Sequence, residues 1–143
     1  MKRFLSPPAE IPGSAGASGG ASSSPVGTSP KLTPNAALGS TGSSTLTAGS
    51  TDLVGSCTLT PGGSSFPTGA AATFRFTASL AAAPRAVLMW PANQNAADAQ
   101  VGATGGFWVD IGSLSTAGFQ ISTSTSLSSS SGDPIIFYYL VVT

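Results

Sequence analysis

Two apolar alternations close together give the chain its clearest local signal. In Gly105-Gly106-Phe107-Trp108-Val109-Asp110-Ile111-Gly112, residues Phe107, Val109 and Ile111 fall on one side of an extended backbone. Trp108 and Asp110 fall on the other. In Gly118-Phe119-Gln120-Ile121-Ser122-Thr123, Phe119 and Ile121 again share a side, opposite Gln120 and Ser122. The intervening Ser113-Leu114-Ser115-Thr116-Ala117 reads as a turn, so the pair predicts an antiparallel hairpin with one packed and one wet face.

The same period-2 texture recurs from residue 44 onward and predicts strands over residues 44–47, 52–60, 73–80, 86–90, 106–112, 118–124 and 135–142. In residues 73–80, Phe74, Phe76, Ala78 and Leu80 point one way. Residues 86–90 and 135–142 are apolar on both sides, as in central strands or strands covered by a neighbouring subunit. Pro61-Gly62-Gly63 marks a turn. Residues 92–100 could form one helical turn, but a polar loop is the expectation. Short strands with Gly/Ser turns indicate an all-β fold, a small antiparallel β-sandwich of Ig-like or jelly-roll-like type.

Residues 1–43 have a different texture and predict an extended N-terminal arm ahead of a sandwich spanning residues 44–143. Nine Ser, seven Gly and six Pro make up half of this segment. The prolines oppose both helix and central strand. Apolar residues are sparse, too few to offset the ordering entropy of an independent fold. Phe4, Leu5, Ile11, Val26, Leu32 and Leu38 are therefore expected as anchors in pockets of other chains. On this reading the segment can be removed without unfolding the sandwich.

Charge changes the picture. Only 7% of the chain is charged, against roughly 25% in an average globular protein. A surface of Ser, Thr, Gly and Ala points to assembly rather than to a free monomer. The net charge is zero, which speaks against nucleic acid as a partner because phosphate binding needs clustered Lys and Arg. No apolar run approaches the roughly 20 residues of a membrane-spanning helix. Met1-Lys2-Arg3-Phe4-Leu5 mimics the start of a signal peptide, but Ser6-Pro7-Pro8 ends the apolar run, so secretory export is not expected.

Candidate chemistry is thin. The chain has no histidine, which removes the Ser-His-Asp and Cys-His mechanisms and His-ligated zinc. Cys57 is the only cysteine. It lies in an alternating apolar segment as a buried small hydrophobe, and it has no partner for an intrachain disulfide. Asp52, Asp98, Asp110 and Asp133 are scattered in sequence, without the ligand spacing of a calcium loop or the accompaniments of a glycosidase carboxylate pair. No catalytic residue, metal site or cofactor is expected, and the protein is not expected to be an enzyme. Trp90, Trp108, Phe137 and Tyr139 are candidates for a subunit interface, where aromatic residues concentrate.

Several stretches in order carry a resemblance. They are Ala48-Gly49-Ser50-Thr51-Asp52-Leu53-Val54-Gly55-Ser56-Cys57-Thr58-Leu59, Ala86-Val87-Leu88-Met89-Trp90, Phe107-Trp108-Val109, Gly118-Phe119-Gln120-Ile121-Ser122-Thr123-Ser124 and Ile136-Phe137-Tyr138-Tyr139-Leu140-Val141-Val142. Together, over residues 45–143, they resemble a small β domain of tailed-bacteriophage virions, found in capsid decoration (cement) proteins, head fibres and the ends of some tail fibres. The chain departs from that pattern in longer loops at residues 61–72 and 92–105. The resemblance implies a homotrimer on the capsid surface of a virion, with the major capsid protein as partner and no catalytic residues. Its alternative is a tail-fibre or receptor-binding tip that recognises host surface glycans. A long arm with no repetitive shaft favours decoration over fibre.

Overall fold

The structure, a computed structural model, describes residues 26–143 except 64, 67, 102–105, 124–126 and 129–132, and only the backbone of residues 65, 66, 101, 127 and 128. Phe4, Leu5 and Ile11 lie outside the described residues. The chain forms β1 (Lys31–Pro34), a 3-10 turn (Ala36–Leu38), β2 (Ser43–Leu46), β3 (Val54–Thr60), β4 (Ser65–Phe66), β5 (Gly69–Arg75) and β6 (Ala86–Pro91). An α-helix, α1 (Gln94–Val101), follows, then β7 (Phe107–Ser115), β8 (Gly118–Thr123), β9 (Leu127–Ser128) and β10 (Ile135–Val142).

Two four-stranded antiparallel sheets face each other. The first has strand order β1-β5-β8-β7 and the second β2-β3-β10-β6, while β4 and β9 form a separate short ribbon. The expected all-β sandwich is the fold. The edge strands β1 and β6 end in Pro34 and Pro91, a residue that edge strands tolerate because one side of their ladder is unpaired.

Alternation decides what the core contains. From the first sheet, Phe74, Phe119, Ile121 and Phe107 point inward; from the second, Cys57, Leu59, Ile135, Phe137, Tyr139 and Val141 meet them. The aromatic rings bridge the layers. Phe74 stacks on Phe119 at 4.7 Å within the first sheet and meets Tyr139 of the second edge-on at 5.0 Å. Phe107 approaches Phe137 at 5.4 Å. Such ring pairs add to the stabilisation from burial alone.

The arm expected over residues 1–43 does not extend to residue 43. Lys31–Pro34 pairs with β5 as an edge strand, with Leu32 opposite Phe74. Leu38 is fully buried in this chain's own core, with Ala37 beside it. The polypeptide is stitched there: the Asn35 N–H donates to the Ala71 carbonyl at 2.8 Å, and the Gly62 N–H donates to the Leu38 carbonyl at 2.7 Å. Leu38 is thus a core residue rather than an anchor for another chain, and Leu32 packs against that core. Of the expected anchors among the described residues, only Val26 is exposed. Composition misled here because few apolar residues suffice when neighbouring strands supply the rest of the core.

The hairpin of β7 and β8 forms, but its turn is shorter and its faces less regular than the alternation suggests. The turn is Thr116–Ala117. At Gly118, with φ of 152°, a side chain would collide with the Phe74 carbonyl, so only glycine fits. Between Asp110 opposite Gln120 and Ser115 opposite Gly118, β7 carries extra residues as a bulge. Ser113 Oγ donates to the Asp110 carbonyl at 2.6 Å and accepts the Gln120 N–H at 2.7 Å, which holds the bulge in place. The bulge breaks the period, so Ile111 is 81% exposed rather than packed. Ser122, expected on the wet face, is buried.

Two further expectations change. The alternation of residues 73–80 runs past the ladder: β5 starts earlier, at Gly69, and ends at Arg75, although Phe76 remains buried. The loop expected over residues 92–100 is largely helix. Asn93 caps it, its side-chain oxygen accepting the Ala96 N–H at 3.0 Å and the Ile136 N–H at 3.1 Å. Gln94 donates to Asp98 one turn on at 2.7 Å.

Candidate functional site

Because β10 is apolar at every position, one parity fills the core and the other has to lie outside it. Ile135, Phe137, Tyr139 and Val141 are inward, so Ile136, Tyr138, Leu140 and Val142 point out. Phe137 and Tyr139 are therefore not interface residues: both are buried in the sandwich. Their outward neighbour Tyr138 is the exposed one. The strand's two apolar faces gave the sequence no way to choose between the parities.

The register of the second sheet assembles these outward side chains into rows. Val54, Leu140 and Leu88 form one row across β3, β10 and β6; Ser56, Tyr138 and Trp90 form the next; Thr58 and Ile136 continue it, and Val142 stands opposite Ala86. Val54, Leu88, Trp90, Tyr138, Leu140 and Val142 are each between 38% and 52% exposed. The Trp90 and Tyr138 rings lie 5.9 Å apart, tilted by 39°. On β2 the outward residues Ser43 and Thr45 extend the face with hydroxyls. Across all four strands no outward position carries a charge. An exposed apolar surface bordered on one side by hydroxyls, with two adjacent aromatic rings on β10 and the edge strand β6, has the composition of a contact surface.

The outer face of the first sheet is polar. A groove of about 430 Å³ is lined by Thr73, Arg75, Asp110, Ser113 and Gln120 among others. Asp110 is committed to the bulge, since its Oδ1 accepts the Gly112 N–H at 2.9 Å. Trp108, opposite Ser122 on the next rung, is 41% exposed. The structure thus places the two expected interface tryptophans on different sheets.

Other titratable groups serve the fold. Asp52 is buried, and its Oδ1 accepts the Thr77 N–H at 2.8 Å and the Thr77 hydroxyl at 3.0 Å. The Asp52 N–H donates to the Gly27 carbonyl at 2.8 Å, which ties the start of the described chain to the sandwich. Burial pushes the Cys57 thiol from an ordinary 9.0 up to about 12, so it is no nucleophile near neutral pH. Burial likewise pushes the Tyr139 phenol from 10.0 up to about 12, and its hydroxyl donates to the Thr51 carbonyl at 2.6 Å. Among the described residues no three His, Cys, Asp or Glu side chains gather as a metal site. No helix of the described residues is long and apolar enough to cross a membrane.

No family model matches the chain, and no curated protein or solved structure matches it either.

Proposed function

We propose that this is a structural protein of a tailed-phage virion, a decoration protein of the capsid exterior that acts by assembling and not by catalysis. The observation that carries this reading is the outer face of the second sheet: a broad, uncharged, apolar surface on an otherwise closed sandwich. A protein that functions as a free monomer gains nothing from such a face and risks aggregation through it. The resemblance over residues 45–143 supplies the virion setting and the major capsid protein as partner. Residues 1–25, with Phe4, Leu5 and Ile11 and the cationic Lys2 and Arg3, are the segment left to reach neighbouring capsid subunits.

Adding the purified protein to capsids that lack it, then pelleting the capsids, tests the proposal. Saturable binding at a fixed ratio to the major capsid protein is the expected result, and absence of binding refutes it. Incubation with host polysaccharide should release no reducing ends. Turnover abolished by Asp110→Asn would overturn the non-enzymatic reading.

A receptor-binding tip is the second reading, and the polar groove beside Trp108 favours it. An exposed tryptophan on the same face as a carboxylate, an amide and a guanidinium group suits a sugar. Binding to a host glycan that is lost in Trp108→Ala would move the assignment there.

A further inference from the structure

We infer that the apolar face of the second sheet is covered by the same face of a second copy of this chain, the two β10 strands running antiparallel about a two-fold axis. The inference concerns the isolated protein and stands whether or not the virion reading holds. Self-complementarity is the first ground. The face carries no charge that a partner would have to match, and a regular sheet surface packs on another sheet with aligned strands.

The ends of the face provide the orientation. Arg85 lies at one end, its backbone N–H donating to the Val142 carbonyl at 2.8 Å where β10 finishes. Asp133 lies at the other, two residues ahead of β10. Both are exposed. The eight residues of β10 span about 27 Å at about 3.4 Å each, so within one chain the two charges are too far apart to neutralise each other. An in-plane two-fold axis perpendicular to the strands lays each Arg85 end on the Asp133 end of the other copy. Sheets pack about 10 Å apart, a gap that an arginine and an aspartate side chain at the rim can close together. Any arrangement with the strands parallel, including a three-fold bundle around the strand direction, instead brings Arg85 to Arg85 and Asp133 to Asp133. Like charges in register select against that geometry. The trimer implied by the resemblance is therefore disfavoured for this face.

The size of the face sets the strength. Four strands about 4.8 Å apart and four to eight residues long cover roughly 19 by 21 Å, or about 800 Å² over both copies. That falls short of the roughly 1,000 Å² of a stable interface, so the pair is a weak one that forms reversibly at high micromolar to millimolar concentration.

Sedimentation of the full chain between about 5 and 500 µM is the test. Dimers that grow with concentration are expected. Arg85→Glu or Asp133→Lys alone should weaken dimerisation about tenfold, since each reverses both symmetric pairs. Both together should restore it to within about threefold. Tyr138→Ser should abolish it while leaving the β circular dichroism intact. A trimer, a monomer at the highest concentration, or a dimer indifferent to these changes overturns the inference. In the Trp108→Phe background, a monomer whose Trp90 fluorescence resists acrylamide would mean that the chain's own first 25 residues cover the face, and would overturn it equally.

Discussion

Leu38→Ala tests whether the segment that reads as an arm is in fact core. Leu38 is fully buried, and the backbone around it is fixed from two sides. Its carbonyl accepts the Gly62 N–H at 2.7 Å, and the Gly42 N–H donates to the Gly39 carbonyl at 3.1 Å. Glycines crowd this turn so closely that a side chain at Gly42 would collide with Leu38 and one at Gly62 with Thr41. The wall cannot move in to fill the space that truncation leaves. The loss should therefore fall in the middle of the 2–5 kcal/mol range of buried Leu→Ala changes, about 3 kcal/mol. For a domain near 100 residues this lowers Tm by about 12 °C or more. Urea unfolding followed by tryptophan fluorescence measures it, with Val26→Ala, at an exposed position, as a control that should cost less than about 0.5 kcal/mol. Removal of residues 1–25 should leave the fold intact. Removal of residues 1–43, which takes β1, the 3-10 turn and the first residue of β2, should prevent folding. A Leu38→Ala cost below about 1 kcal/mol, or a stable sandwich without residues 1–43, would refute the assignment of this segment to the core.

The remaining predictions concern single groups. Cys57 and Tyr139 hold in the fold protons that they lose near 9.0 and 10.0 when unfolded, so their contribution is intact below pH 9 and falls as pH rises through about 12. Tm should be flat from pH 6 to 8.5 and then drop, and Tyr139→Phe, which loses the Thr51 bond at about 1 kcal/mol, should drop less steeply; an unchanged alkaline slope in that variant counts against the cause given. Asn93→Ala removes the helix cap and leaves the Ile136 N–H without its acceptor, costing about 1–2 kcal/mol in urea unfolding; a neutral result would detach α1 from the stability of β10. Ser44 Oγ is buried without a partner among the described residues, so Ser44→Ala should raise Tm or leave it unchanged, and a clear fall would show that the hydroxyl is satisfied.

Much of this was legible in the alternation. The strand order of apolar residues gave the all-β class, the β7–β8 hairpin and the inward set Phe74, Phe76, Phe119 and Ile121. Where two parities are both apolar, as in β10, periodicity has nothing to discriminate, and the exposed apolar face stayed hidden until Tyr139 and Tyr138 could be told apart by burial. Composition failed at residues 31–43 because an edge strand needs only one inward apolar residue, Leu32, when the neighbouring strand brings Phe74. The helix was missed because Ala-Asn-Gln-Asn-Ala-Ala-Asp-Ala-Gln carries no apolar stripe. The available signal was the cap: Asn93 ahead of Ala96, Ala97 and Ala99, which favour helix once its first turn is closed. Ile111 left its expected face because the Asp110–Ser113 hydrogen bonds stabilise a bulge that no periodicity encodes.

Copy number tests the account's central claim most directly. On the proposed virion role, quantitative mass spectrometry of purified phage particles whose genome carries this sequence should find it in the hundreds per virion, in fixed ratio to the major capsid protein. A few dozen copies or fewer would identify a fibre component instead, and absence from the particle would contradict the account altogether.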